Sequence, residues 1–164
     1  MDFVKRKFLK IYLQTKKDHG GKKIVICDID GTIANNDHRQ HLLKEFKDWD
    51  IFFAQLHLDE PILDVIEKIN DLKREGKEIV FLTGRPEKYR KLTDAWLEKY
   101  FDPNYTLIMR KDGDVRNKSI TKEEMLKLNV DLKDIYKVYE NDPELIDLWR
   151  KLELSVVDVN KFNL

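Results

Sequence analysis

The chain has 164 residues, with 31 Lys and Arg against 31 Asp and Glu. That length suits one domain with a real core and predicts no second folded unit, and the balanced charge excludes a globally basic nucleic-acid or membrane-surface protein, so any basic surface has to be local. The single cysteine, Cys27, excludes an internal disulfide and fits a reducing cytoplasm. No apolar run approaches the ~18 residues of a membrane helix, and charged residues stand where a secretory core would be, so a soluble, unexported, cytoplasmic protein is expected.

Residues 2–17 set Val4, Phe8, Ile11 and Tyr12 at helical spacing among Lys5, Arg6, Lys7, Lys10, Lys16 and Lys17. This predicts a basic amphipathic helix over residues 1–20, either packed on the domain or serving as an interaction arm. Gly20-Gly21 interrupts it, and the main domain is expected over 21–164. Ile24-Val25-Ile26-Cys27 is apolar throughout, the pattern of a central parallel strand, and Cys27 within it reads as an inert core residue. Residues 33–60 show no regular pattern and exceed a typical strand-to-helix loop, which predicts a lid or substrate contact. They carry Asn35, Asn36, His38, Arg39, His41, Phe52 and Phe53; either Phe could stack a base, although core packing is the simpler role. His38 and His41 read as polar lid residues, and four histidines with one cysteine argue against zinc.

Glu60-Pro61 reads as a helix start, followed by Val65, Ile66, Ile69 and Leu72 and ended by Gly76. A strand at Ile79-Val80-Phe81-Leu82 follows, then a helix opened by Pro86 and carrying Leu92, Ala95 and Trp96. After a strand at Thr106-Leu107-Ile108-Met109, Thr121-Lys122-Glu123-Glu124 reads as a capping box ahead of Met125, Leu126 and Leu128. Ile135 to Tyr139 is the next strand, Asp142-Pro143 starts a helix with Leu145, Ile146, Trp149 and Leu152, and Val156 to Val159 is the last strand. Trp49, Trp96 and Trp149 read as core residues. The alternation predicts a doubly wound α/β fold with a parallel sheet of about five strands and a small insert after the first, its site at the carboxyl ends of the strands.

The chemistry gathers at those ends. In Cys27-Asp28-Ile29-Asp30-Gly31-Thr32 the two carboxylates are two residues apart, so an extended backbone aims both the same way. Asp and Gly also dominate plain turns, so further groups must decide. Thr83-Gly84-Arg85 follows the second strand and offers a hydroxyl, backbone N–H groups and a planar fork suited to phosphate. Arg116 supplies a second fork, and Lys118 or Lys122 a positive charge for phosphoryl oxygens, though a solvated lysine is an alternative for Lys122. Glu140-Asn141-Asp142 after the fourth strand completes, with Asp28 and Asp30, an oxygen-rich set suited to magnesium.

These four clusters resemble the motifs of the haloacid dehalogenase-like phosphohydrolases. The chain is most similar to the 3′-phosphatase domain of phage-type polynucleotide kinase-phosphatases. That likeness rests on Arg39 after the first motif, on Tyr89, Thr93 and Trp96 after Thr83-Gly84-Arg85, on Gly113-Asp114-Val115-Arg116 leading into Lys122, and on Glu140-Asn141-Asp142 followed by Ile146 and Trp149-Arg150. It covers about residues 22–160. The resemblance implies Asp28 as a nucleophile forming an aspartyl-phosphate, Asp30 as acid and base, and Lys122 over Lys118 as the phosphate lysine. It also implies Arg39, Arg85 and Arg116 as phosphate binders and magnesium as the cofactor.

The implied substrate is a phosphorylated nucleic-acid end or a nucleotide, with a small-molecule phosphomonoester as the alternative. Asn141 departs from the family, which usually has an acid there. No G-x-x-x-x-G-K-[ST] loop occurs, so ATP-dependent phosphorylation is not expected. A receiver-type signalling domain is disfavoured because the third strand ends in Met109-Arg110 without an aspartate, and a silent binding domain is conceivable only through Asn141.

Overall fold

Ile24–Cys27 (β1) is apolar at every position and successive strand residues face opposite ways, so it is stable only with both faces covered. In the computed structural model, which describes residues 21, 23–45 and 47–162, β1 is the middle strand of a five-stranded sheet. The basic helix expected over residues 1–20 lies outside the described residues. After β1 come a short ribbon of Ala34–Asn35 (β2) and Glu60–Pro61 (β3), then Glu78–Pro86 (β4), Thr106–Arg110 (β5), Ile135–Glu140 (β6) and Val156–Asp158 (β7). The main sheet runs β5-β4-β1-β6-β7 with every neighbouring pair parallel.

Alternation along the strands builds two cores. Val25 and Cys27 with Ile79 and Phe81 face the helices Leu63–Arg74, numbered α3 in chain order, and Arg90–Leu97 (α4), which contribute Ile69, Leu72 and Trp96. Ile24 and Ile26 with Val80 and Leu82 face Lys118–Asn129 (α5) and Pro143–Lys151 (α6), which contribute Leu126, Leu145 and Trp149. The doubly wound α/β sheet is therefore as expected. Register then aligns the strand ends: Cys27 pairs with Phe81 and with Tyr139, and Asp28 N donates to Tyr139 O at 3.0 Å. Asp28, the Leu82-Thr83 step and Glu140 thus end at one level.

Several local expectations are corrected. Glu60-Pro61 does not start a helix but pairs antiparallel with Ala34-Asn35, and α3 begins only at Leu63. Pro86 closes β4, a 3₁₀ turn covers Glu87–Tyr89, and α4 begins at Arg90. Thr121 to Glu124 is no capping box: Asn117 caps α5, accepting from Ser119 N at 2.8 Å, and Lys122 falls in the second turn. Asn caps as well as Thr does, and the earlier start brings Lys122 onto the buried face of α5.

The segment 33–60 is mostly helical, with Asp37–Glu45 (α1), Trp49–Ala54 (α2) and a 3₁₀ turn at Leu56–Leu58. The α1 sequence DHRQHLLKE has only two apolar residues, too few to display a helical stripe. Trp96 and Trp149 are core as expected, whereas Trp49 is 59% exposed.

The two buried tryptophans predict different tolerance. Trp96 Nε1 donates to Asp59 O at 2.8 Å, while Trp149 Nε1 has no hydrogen-bond partner among the described residues. In urea denaturation Trp96→Phe is expected to cost about 1–3 kcal/mol more than Trp149→Phe, since only the first leaves a buried carbonyl unpaired.

Candidate active site

Asp28 leaves β1 into an open cleft of about 460 Å³ whose walls include Asp30, Gly31, Gly84, Lys122 and Asn141. Lys122, carried by α5, reaches Asp28 Oδ1 with Nζ at 2.5 Å and Glu140 Oε2 at 3.2 Å. Thr32 Oγ1 donates to Asp28 Oδ2 at 2.9 Å, so both carboxylate oxygens are held. Two buried carboxylates thus share one ammonium. Burial, reinforced by Glu140 and only partly offset by Lys122, pushes the Asp28 carboxyl up to about 7. Burial works against the charge on Lys122, yet Asp28 and Glu140 outweigh it and raise its pKa. The Cys27 thiol is raised by burial and then by Asp28 and Glu140, in keeping with an inert core cysteine.

Asp30 meets the opposite environment. Arg85 grips it with two donors, Nε to Oδ2 at 2.9 Å and Nη2 to Oδ1 at 2.8 Å, and Arg39 Nη2 adds a third at 2.7 Å. Burial would raise its pKa, but Arg85 and then Arg39 hold the Asp30 carboxyl at about 2. Both guanidinium groups are in turn shared with Asp59, whose carboxylate accepts from Arg39 at 2.7 Å on each oxygen and from Arg85 at 3.0 Å. Arg39, Arg85 and the Asp59 side chain are completely buried. The expected phosphate forks Arg39 and Arg85 therefore lie behind Asp30, with their charge directed to carboxylates. Thr83 is likewise buried, its hydroxyl accepting from Arg85 N at 3.2 Å, and from this motif Gly84 is the residue that reaches the cleft.

Of the expected magnesium ligands, Glu140 is spoken for: besides Lys122, its Oε1 accepts from the N–H groups of Asn141 and Asp142. Asp142 caps α6 through Glu144 N at 3.0 Å and pairs with Lys118. Asn141 Oδ1 lies 3.3 Å from the Thr32 hydroxyl that also holds Asp28, so these two oxygen donors converge. Among the described residues no three His, Cys, Asp or Glu side chains form a metal cluster. Gly31 makes the approach possible: its φ is +80°, and an added Cβ would fall 2.2 Å from Asn141 Nδ2.

Arg116 is not at this cleft. It is exposed, paired with Asp114 and Glu124, and lines a neighbouring cleft. Three further residues belong to the site or its rim. Asp59 directly precedes the Glu60–Pro61 strand, and no sequence pattern singles it out. Arg110 ends β5 on the rim of both clefts, where strand-end topology was the available signal. Lys118 also stands on the rim, paired with Asp142.

The sheet order and this set of strand-end groups define a haloacid dehalogenase-like phosphatase, a hydrolase of phosphate esters. The family model for the phosphatase domain of polynucleotide kinase PNKP matches residues 22–163, and the chain belongs to that family. It is similar to a protein of Autographa californica nuclear polyhedrosis virus described as a bifunctional polynucleotide kinase/RNA ligase, at 32% identity over 138 residues, which is 82% of this chain and 19% of the relative. A chain of the Pnkp1/Rnl/Hen1 RNA repair complex superposes with a TM-score of 0.70 and 27% identity, covering 86% of this chain and 43% of that one. The chain thus spans less than half of either. A haloacid dehalogenase-like hydrolase of Streptococcus pneumoniae, at 9% identity and TM-score 0.55 over 83% of each chain, shares the fold.

Two outcomes follow from the geometry. Gly31→Ala is expected to cost about 1–2 kcal/mol in urea denaturation from its left-handed backbone alone, more once Asn141 is displaced, whereas Gly84→Ala, whose added Cβ meets nothing within 4 Å, stays within about 0.5 kcal/mol of wild type. The pKa of Asp28 is higher folded than unfolded, so the native state holds the extra proton between them. Without divalent cations, stability should fall as pH rises from about 4 to about 7, and Asp28→Asn should flatten that slope in melting curves taken across the range.

Proposed function

We propose that this domain is a magnesium-dependent phosphomonoesterase that works through an aspartyl-phosphate and removes 3′-phosphate from nucleic-acid ends. The observation that carries the reading is the convergence of Asp28 and Asn141, from two strand ends, and Lys122, from α5, on one cleft beside Asp30. The names of the viral relative and of the RNA repair complex support a nucleic-acid end as substrate.

Asp28 attacks phosphorus and the 3′-oxygen leaves, taking a proton from Asp30. Asp30 is ionised in the free protein because Arg85 and Arg39 hold it at about 2. The negative charge of an arriving phosphate raises its proton affinity, and Asp30 takes up a proton from solvent before the first step. Asp30 then takes a proton from the water that attacks phosphorus and frees Asp28. Lys122 offsets charge on the phosphoryl oxygens and favours ionised Asp28, while Glu140 holds the ammonium in place. Gly84 presents backbone to the cleft without a side chain in the way.

The donor set fits magnesium: Asp28 and the Asn141 amide oxygen face one another across Thr32, Asp142 lies beside them, and the buried pair Asp28 and Glu140 has one negative charge more than Lys122 cancels. Magnesium bound there supplies charge for the phosphoryl group and draws Asp28 to its ionised form. With an amide in place of an acid at 141, the affinity would be weaker or would rest more on Asp142, since Glu140 is occupied by Lys122 and two N–H groups.

The test is phosphate release from 3′-phosphorylated RNA and DNA oligonucleotides, beside free 3′- and 5′-mononucleotides. Release should require magnesium and stop on chelation, and Asp28→Asn should lower turnover at least about 100-fold. Wild-type turnover by Asp28→Asn would end the scheme, and a preference for free mononucleotides would replace the substrate.

A further inference from the structure

A second cleft of about 450 Å³ adjoins the first and shares Trp49, Phe53, Gly84 and Arg110 with it. Trp49 stands out among these four. Phe52 and Phe53 beneath it are buried, with ring centroids 5.7 and 5.8 Å from the indole, yet 59% of Trp49 stays exposed on the rim of both clefts. Its helix is braced where it stands: Asp50 accepts from Tyr89 Oη at 2.7 Å and from Lys88 Nζ at 2.5 Å, both on the turn after β4. Arg110 lines the same two clefts, its Nη2 donating to Arg116 O and lying 4.0 Å from Asp114 Oδ1. An exposed indole backed by two buried rings, with the Arg110 guanidinium near it, thus borders the path out of the catalytic cleft.

We propose that Trp49 is the base platform of this phosphatase, the second cleft receiving the nucleobase of the nucleotide that carries the phosphate. The proposal rests on the nucleic-acid reading above. The second cleft also holds cations, Lys88 paired with Asp50, Arg116 with Asp114 and Glu124, and exposed Lys111, and such groups meet phosphates and carry no preference for a base. Ring stacking is what Trp49 adds to them, and it accepts any base. An aliphatic phosphate ester would leave the indole uncovered.

The full chain is assayed as wild type, Trp49→Ala, Trp49→Phe and Ile51→Ala, the last exposed on the same helix but outside both clefts. The substrates are a 3′-phosphorylated oligonucleotide and the same oligonucleotide whose terminal residue lacks its base. The ratio of kcat/KM for the base-bearing end to that for the baseless end should fall at least about 5-fold in Trp49→Ala, chiefly through KM. Trp49→Phe should restore most of it, and Ile51→Ala should keep the wild-type ratio.

In the Asp28→Asn background, the base-bearing oligonucleotide should quench tryptophan fluorescence, and the quench should vanish with Trp49→Ala. Equal ratios in wild type and Trp49→Ala, with wild type active on both ends, overturn this inference and leave the nucleic-acid reading intact. Wild-type release from a small aliphatic phosphomonoester but from neither oligonucleotide overturns both.

Discussion

Asp59 holds the structure together at the point where chemistry needs order. Its buried carboxylate binds Arg39 from α1 and Arg85 from β4, and its carbonyl accepts from Trp96 of α4. Burying two guanidinium groups is tolerable only because Asp59 and Asp30 satisfy them; removing one member of such a network leaves an uncompensated buried charge, a loss of about 3–5 kcal/mol. The network therefore ties the 33–60 insert to the main sheet. His38 joins it at 2.9 Å from Asp59, and the Arg39 guanidinium lies 4.1 Å from the centre of the Phe52 ring. The insert is a docked helical cap whose inner surface positions Asp30 and whose outer rim presents Trp49.

The same architecture separates two carboxylates that sit two residues apart. Asp30 has a surplus of cationic donors and is held at about 2; Asp28 shares one ammonium with Glu140 and rises to about 7. The difference comes from which elements stand over each: α1 and β4 bring arginines to Asp30, while β6 brings a second acid to Asp28 with α5 supplying the lysine. The site thus keeps one acid ionised and leaves the other short of positive charge.

Much of this was readable before folding was considered. The apolar run of β1, the period of α3 and α6, and the rule that ligands lie beyond parallel strand ends brought Asp28, Asp30, Gly84, Lys122 and Asn141 to one edge, where the sheet register puts them. The reading failed where local patterns were ambiguous. Thr121 to Glu124 has the form of a capping box yet lies inside a helix that Asn117 starts. Glu60-Pro61 has the form of a helix start yet pairs as a ribbon. The polar α1 showed no period at all.

The sequence by itself determined the sheet, its two-sided core and the identity of the residues at its edge, because hydrophobic spacing and chain direction dictate which ends point together. Only the tertiary structure decided what those residues face. Arg39 and Arg85 look like phosphate ligands until Asp59 is seen to draw them beneath Asp30, Glu140 looks like a metal ligand until Lys122 and two backbone N–H groups occupy it, and Trp49 looks like core until its neighbours leave it exposed. Charge pairing and exposure depend on contacts between segments far apart in the chain, and no local pattern encodes them.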